Sequence, residues 1–311
     1  MTRIGPVLRR TPKIAALALI LGVAALIVPN SATQPTYSSL VRMQTAEGTD
    51  LGKLAHGKNI VTILAVGSDA RPGENMLHTR SDALHLIFMD TKTHAAADIG
   101  VPRDSWVSIP GHGSNRINAA LFYGGPQLLG QVVGNLIGVR PDYVFVTRFT
   151  YFQHMVRDIG GIKVNNPVAF NDPEIWPRGF KKGRIHLSGL TALKFARIRH
   201  TLPHGDFDRS ANQDRVIRGI QEKLHRKRAD PGFIAKGVLS VMQNLQTDLS
   251  PSQLFQLAHA VADVDPGNVT SCVIAGRGEV IGGADVENPD FAMAKRLGNA
   301  ARNDATLPRH C

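Results

Sequence analysis

The 311-residue chain is poor in cysteine and in acids, and it lacks the signatures of several common enzymes. There is no HExxH, and the two cysteines, Cys272 and Cys311, do not have zinc-ligand spacing, which argues against a zinc centre. No GxSxG or SxxK occurs, which argues against an acyl-serine hydrolase. Internal repeats and low-complexity tracts are missing too, so a single ordinary domain is the economical reading. Acids number 25 against 36 lysines and arginines, a net charge of +11 that calls for anionic partners such as phosphates, anionic lipid or nucleic acid. With 43% hydrophobic and 20% charged residues the rest is that of a folded globular chain.

The most hydrophobic run is Ile14–Val28, IAALALILGVAALIV, closed by Pro29. As a helix it spans about 23 Å, short of a hydrocarbon core of about 30 Å, so it suits a membrane anchor or a signal h-region. Residues 1–13 carry Arg3, Arg9, Arg10 and Lys13 with no acid. Such a basic flank stays in the cytoplasm and sends the remainder out. Residues 29–58, rich in Ser, Thr, Gly and Pro, read as a linker. A Cys272–Cys311 disulfide, expected for an even count in an oxidising compartment, would tie down the chain end.

From residue 59 short apolar runs alternate with helical periodicity. Strands are expected at Ile60–Val66, Ala83–Met89, Ala96–Val101, Tyr143–Thr147 and around Val269–Ile274. Helices are expected from Gly124-Gly125-Pro126 to Gly138, Phe149–Ile159, Ser188–Arg199, Arg209–Arg228, Phe233–Gln243 and Ser252–Ala262. This order gives an α/β domain over 59–299, a mixed sheet flanked by helices, with a tail at 300–311.

Chemistry gathers at the element ends. Asp69 follows the first strand and Asp82 opens the second, so a turn brings two carboxylates together, a donor set for a hard cation such as Mg²⁺ or simply two turn residues. Arg103-Asp104 follows the third strand and reads as a salt-bridged turn. Arg197 and Arg199 leave one helix end towards the loop where Arg209 begins the next helix, a convergence that suits a phosphate or pyrophosphate clamp.

These segments together resemble the LytR-CpsA-Psr family of bacterial envelope proteins. The resemblance is carried by GSDAR at 67–71, RSD at 80–82, VPRD at 101–104, RINAA at 116–120, FYGGP at 122–126, GGIKV at 160–164, HLSGLTALKFARIRH at 186–200 and GDFDRSANQ at 205–213. It implies a three-layer α-β-α domain outside the cytoplasm, and a phosphotransferase that moves a glycopolymer from a polyprenyl-pyrophosphate carrier onto peptidoglycan. By motif position it implies Mg²⁺ on Asp69 and Asp82. The pyrophosphate would be gripped by Arg80, Arg103, Arg197, Arg199 and Arg209, with Gln213 in support. Arg103, Arg197, Arg199 and Asp206 would be catalytic, with Asp206, or Asp104 in second place, as base. The lipid would lie in an apolar pocket, for which Leu128–Ile137 offer a wall. The basic, aromatic loop 171–183 departs from the pattern and is a candidate for acceptor or polymer choice. Two other readings stand beside the transferase: a polyprenyl-pyrophosphate hydrolase, and a transcriptional attenuator acting without catalysis. Nucleic acid is not an expected partner, since an exported domain does not meet it.

Overall fold

A computed structural model describes residues 41–45, 59–242, 245–247 and 251–308. The basic stub, the apolar run 14–28 and Cys311 lie outside the described residues. No helix among the described residues is long and apolar enough to cross a membrane.

The chain opens with β1 (Val41–Thr45), β2 (Ile60–Ser68), β3 (Ser81–Asp90), β4 (Ala96–Gly100) and the hairpin β5 (Trp106–Ile109) and β6 (Gly113–Arg116). Then follow α1 (Ala119–Ile137), β7 (Tyr143–Arg148), α2 (Phe149–Asp158), β8 (Ile162–Asn166), β9 (Phe170–Asp172), β10 (Trp176–Phe180) and β11 (Gly183–Leu187). The second half carries α3 (Gly189–Arg197), α4 (Asp206–Arg226), α5 (Pro231–Met242), β12 (Leu245–Thr247), α6 (Pro251–Asp263) and β13 (Val269–Val273). It closes with the hairpin β14 (Gly276–Ile281) and β15 (Ala284–Pro289) and with α7 (Phe291–Asp304).

Seven strands form one mixed sheet in the order β12-β1-β7-β2-β3-β4-β13. Its long central strands are apolar on both sides, so each face needs a cover of helices. Leu64, Val66, Leu84, Leu86 and Phe88 join Leu129, Val133 and Leu136 of α1 and Met293 and Leu297 of α7 in one core. The alternate residues Val61, Ile63, Met89 and Tyr143 join Ile234 and Val238 of α5 and Leu254 and Leu257 of α6 in a second. The period of two along each strand thus splits the core in two and produces the expected three layers. A third core, with Val156, Ile162, Val164, Phe195 and Val216, fastens α2, α3 and α4 to the β8–β11 ribbon.

Several expected boundaries move. β1 lies inside the stretch read as a linker and pairs antiparallel with β7. The first helix starts at Ala119, five residues before Gly124, which is where it kinks instead. Gly125 has φ +65° there, a conformation that favours glycine, and Pro126 restarts the helix. α4 begins at Asp206 rather than Arg209, which puts two acids in its first turn. The loop 171–183 is ordered as β10 paired with β9, with the Lys194 ammonium 4.4 Å over the Trp176 ring. The domain does not end at residue 299: α7 runs to Asp304, and buried Leu307 donates its N–H to Thr270 Oγ1 at 3.0 Å. Cys272 is disulfide-bonded.

Candidate active site

One edge of the sheet collects the charged residues. β2 and β7 run parallel and end side by side at Ser68 and Arg148, while antiparallel β3 starts beside them at Ser81. β4, antiparallel to β3, also ends towards this edge and feeds Arg103 and Asp104 into it. Ligands of open sheets bind beyond the carboxyl ends of strands, and here Asp69, Arg103, Asp104 and Arg148 occupy those ends, with Asp82 at the start of β3. The helices bring the second set. α3 ends at Arg197, Arg199 follows, and Gly205 with φ +52° turns the chain into α4, whose first turn presents Asp206 and Arg209.

Two acids gather four guanidinium groups. Asp104 faces Arg103 at 3.5 Å and both Arg116 and Arg199 at 3.6 Å. Asp206 pairs with Arg209 and accepts the Arg103 backbone N–H at 3.2 Å. Arg103 also pairs with Asp82, which links the expected cation site to the clamp. Burial pushes the Asp206 carboxyl above the ordinary aspartate range, and nearby Asp104 adds to this against the pull of Arg209, Arg103 and Arg199. Burial likewise lowers Arg209, the more so with Arg103 and Arg199 close by. Arg103 is held up, since Asp82, Asp104 and Asp206 outweigh its own desolvation.

A cavity of about 550 Å³ opens from this cluster. Asp82, Arg103, Arg148, Arg197 and Arg209 line its polar end, and Arg197 stacks its guanidinium 4.4 Å over Phe149. Deeper walls are apolar: Ile63 and Phe145 of the sheet, Phe152 of α2, Ile220 and Leu224 of α4, Val238 of α5, Leu254 and Leu257 of α6. The expected wall Leu128–Ile137 is not among them. α1 lies on the opposite face of the sheet, where Leu129, Val132, Val133, Leu136 and Ile137 are core.

Arg103, Arg199, Arg209, Asp82 and Asp206 are thus brought together, and Arg197 stands at the cavity mouth. Arg80 is exposed and makes no ion pair among the described residues, and its charge acts on Asp69 at the margin of the cluster. Gln213 braces the site from within, since its amide N–H groups donate to the Asp82 and Ala196 carbonyls at 3.2 Å each. Burial and the Asp82 charge raise Asp69, a sign of two carboxylates crowded together. Among the described residues no larger group of metal-type ligands occurs, but Mg²⁺ takes one or two carboxylates, completing its shell with water and phosphate oxygens, so this pair fits it.

Sequence reasoning missed Arg116, Arg148, Glu287 and the pair His85 and Asp98. Arg116 stood inside RINAA, and Arg148 ends a strand parallel to the one before Asp69, so both carried a positional signal. Glu287 arrives from the β14–β15 hairpin, whose Glu287 N–H donates to the Asp104 carbonyl at 2.9 Å. Burial, then Asp206 and Asp104, raises its carboxyl, and nothing local in the sequence announces that contact.

An arginine-lined mouth on an apolar cavity, built on an α/β sandwich, has the shape and charge that suit an amphipathic anion. The chain belongs to the LytR_cpsA_psr family, whose model matches residues 29–303. It is 30% identical over 222 residues to the polyisoprenyl-teichoic acid--peptidoglycan teichoic acid transferase TagU of Bacillus cereus, covering 71% of this chain and 70% of that one. Among solved structures, TagT bound to LI-WTA superposes with a TM-score of 0.65 at 25% identity, over 84% of this chain and 94% of that one. The crystal structure of TagU from B. subtilis gives 0.60 at 25% identity, over 81% and 99%.

Proposed function

We propose that this protein is a glycopolymer transferase, which takes a glycan phosphate from a polyprenyl-pyrophosphate carrier and joins it to peptidoglycan. The observation that carries this reading is the continuity of the arginine cluster with the apolar cavity, one site for pyrophosphate and prenyl chain together. The relationship to TagU supports it. The basic stub and the apolar run that follows in the sequence support a domain outside the cytoplasm at the membrane, where such a carrier is found.

The prenyl tail lies among the α4, α5 and α6 side chains, and the pyrophosphate rests between Arg103, Arg197, Arg199 and Arg209. An acceptor sugar hydroxyl attacks the phosphorus that bears the glycan. A P–O bond to it forms, the bond to the bridging oxygen breaks, and polyprenyl phosphate leaves. The hydroxyl proton goes to Asp206, whose burial makes it a stronger base than an ordinary aspartate. Asp104 is taken up as counter-ion to three arginines, which leaves it the lesser candidate. The guanidinium groups meet the charge that spreads over the phosphoryl oxygens and the leaving phosphate, the dominant need of such a reaction. Asp69 and Asp82 would hold Mg²⁺, which supplies further neutralisation of the pyrophosphate.

The test is transfer by the purified full chain, given a polyprenyl-pyrophosphate glycan, peptidoglycan and Mg²⁺, with products read by mass spectrometry. The expected result is a phosphodiester-linked glycan on peptidoglycan, formed roughly 10² to 10³ times more slowly by Arg103→Ala. Polyprenyl phosphate released without any linked product would overturn the transferase in favour of a hydrolase.

A further inference from the structure

Behind the clamp lies a buried polar group that the reaction above leaves unused. His85 of β3 is 1% exposed and Asp98 of β4 is 4% exposed, both inside the sheet. His85 Nδ1 sits 2.9 and 3.1 Å from the two Asp98 carboxylate oxygens, and its Nε2 is 3.4 Å from Gln213 Oε1. The orientation of the Gln213 amide is fixed, because its nitrogen already donates to two carbonyls. Its oxygen therefore faces Nε2, which must carry a proton. Nδ1 stands almost evenly between both oxygens of a carboxylate, the weaker base of the pair, so it carries one as well. A ring with both nitrogens protonated is an imidazolium.

We infer that His85, held as a cation by Asp98, is a positioning residue that fixes the arginine clamp through Gln213. Gln213 ties three pieces together: β3 at Asp82, the end of α3 beside Arg197, and its own helix α4, one turn after Arg209. With the donor at Nε2 gone, the Gln213 oxygen faces a lone pair and the junction loosens. The charged groups around the ring are Asp98 on β4 and Asp214 on α4, with Arg103 and Arg209 lining the same cavity. Burial works against the charge, but Asp98 and then Asp214 outweigh it and keep the imidazole above the ordinary histidine value. The inference rests on the clamp reading, but not on transfer to any acceptor.

The experiment measures binding of farnesyl pyrophosphate to the full chain as a function of pH, wild type beside Asp98→Asn. Affinity should fall on the alkaline side as His85 loses its proton. Without the Asp98 charge that fall should move down by roughly one to three pH units. The ligand's own ionisation is the same for both proteins and drops out of the comparison. In a folded variant, binding weakened equally at every pH would overturn the inference, as would an unmoved alkaline limb or no binding by wild type. A second reading needs no variant. In the ¹⁵N-histidine-labelled full chain, one of the 12 imidazoles should keep both nitrogens protonated at a pH where the others are neutral. Its absence would sink the proposal even if Asp98→Asn fails to fold. A moved limb in a chain that transfers nothing would leave this inference standing and refute only the transferase.

Discussion

Asp206 and Asp214 sit on the same helix two turns apart, and partners give them different chemistry. Asp206 lies among Arg103, Arg199 and Arg209, and burial, with Asp104 nearby, raises its carboxyl. Asp214 faces the sheet, accepts from Ser271 Oγ at 3.0 Å, and is pushed by burial and by neighbouring Asp98 up to about 6. Its folded value lies above the ordinary 3.8, so the native state binds the extra proton. Stability is therefore greatest below pH ~4 for this group and declines as pH rises through about 6. The interval corresponds to at most about 3 kcal/mol. Thermal melts from pH 4 to 8 should show Asp214→Asn gaining on wild type across that window and holding its advantage above it. Parallel melting curves at all pH values would show that Asp214 carries no such penalty.

At the scale of elements, the two helical layers have different tasks. α1 and α7 close an ordinary core, whereas α4, α5 and α6 leave space between themselves and the sheet. Leu129 of α1 is fully buried, so Leu129→Ala should cost about 2–5 kcal/mol and leave lipid affinity per folded molecule unchanged. Gly237 of α5 lines the cavity, and a side chain added there meets no atom within 4 Å. Gly237→Leu should raise helix propensity by somewhat under 1 kcal/mol while filling space the prenyl chain needs. Denaturation and prenyl-pyrophosphate binding, measured on both variants, should separate: one loses stability alone, the other affinity alone. Equal lipid affinity in Gly237→Leu and wild type would mean the chain does not run past α5.

At the scale of the whole molecule, the sequence made the central strands and most long helices legible, because Ile60–Val66 and Leu128–Ile137 carry unmistakable apolar patterns. It could not say which face of the sheet holds the cavity, since Val61 and Ile63 look as apolar as Leu64 and Val66. Only the pairing of distant strands decides which helix covers which set. The hairpins β5–β6, β9–β10 and β14–β15 were invisible for the opposite reason: they are short ribbons of three to six residues per strand, stabilised by what they lie against. The clamp arginines were legible as motifs, but Glu287, whose backbone N–H donates to the Asp104 carbonyl, reaches the site only when β15 is laid beside Ser105. The chain end was misjudged on the same ground. It was read as a tail, yet Leu307 is buried beside Thr270 of β13, the edge strand held to the sheet by β4 alone. Cys272 lies in that strand and is disulfide-bonded, and the sequence holds one other cysteine, Cys311. Closing the loop between residues 272 and 311 is worth about 4 kcal/mol in the chain-entropy account. For a domain of this size that is roughly 8–16 °C in Tm. Reduced full chain and the double variant Cys272→Ser, Cys311→Ser should both melt that much below the oxidised protein, with the loss in β13 exchange protection preceding global unfolding. Coincident melting of oxidised and reduced protein would mean that packing of α7 and Leu307 holds the edge without the bond.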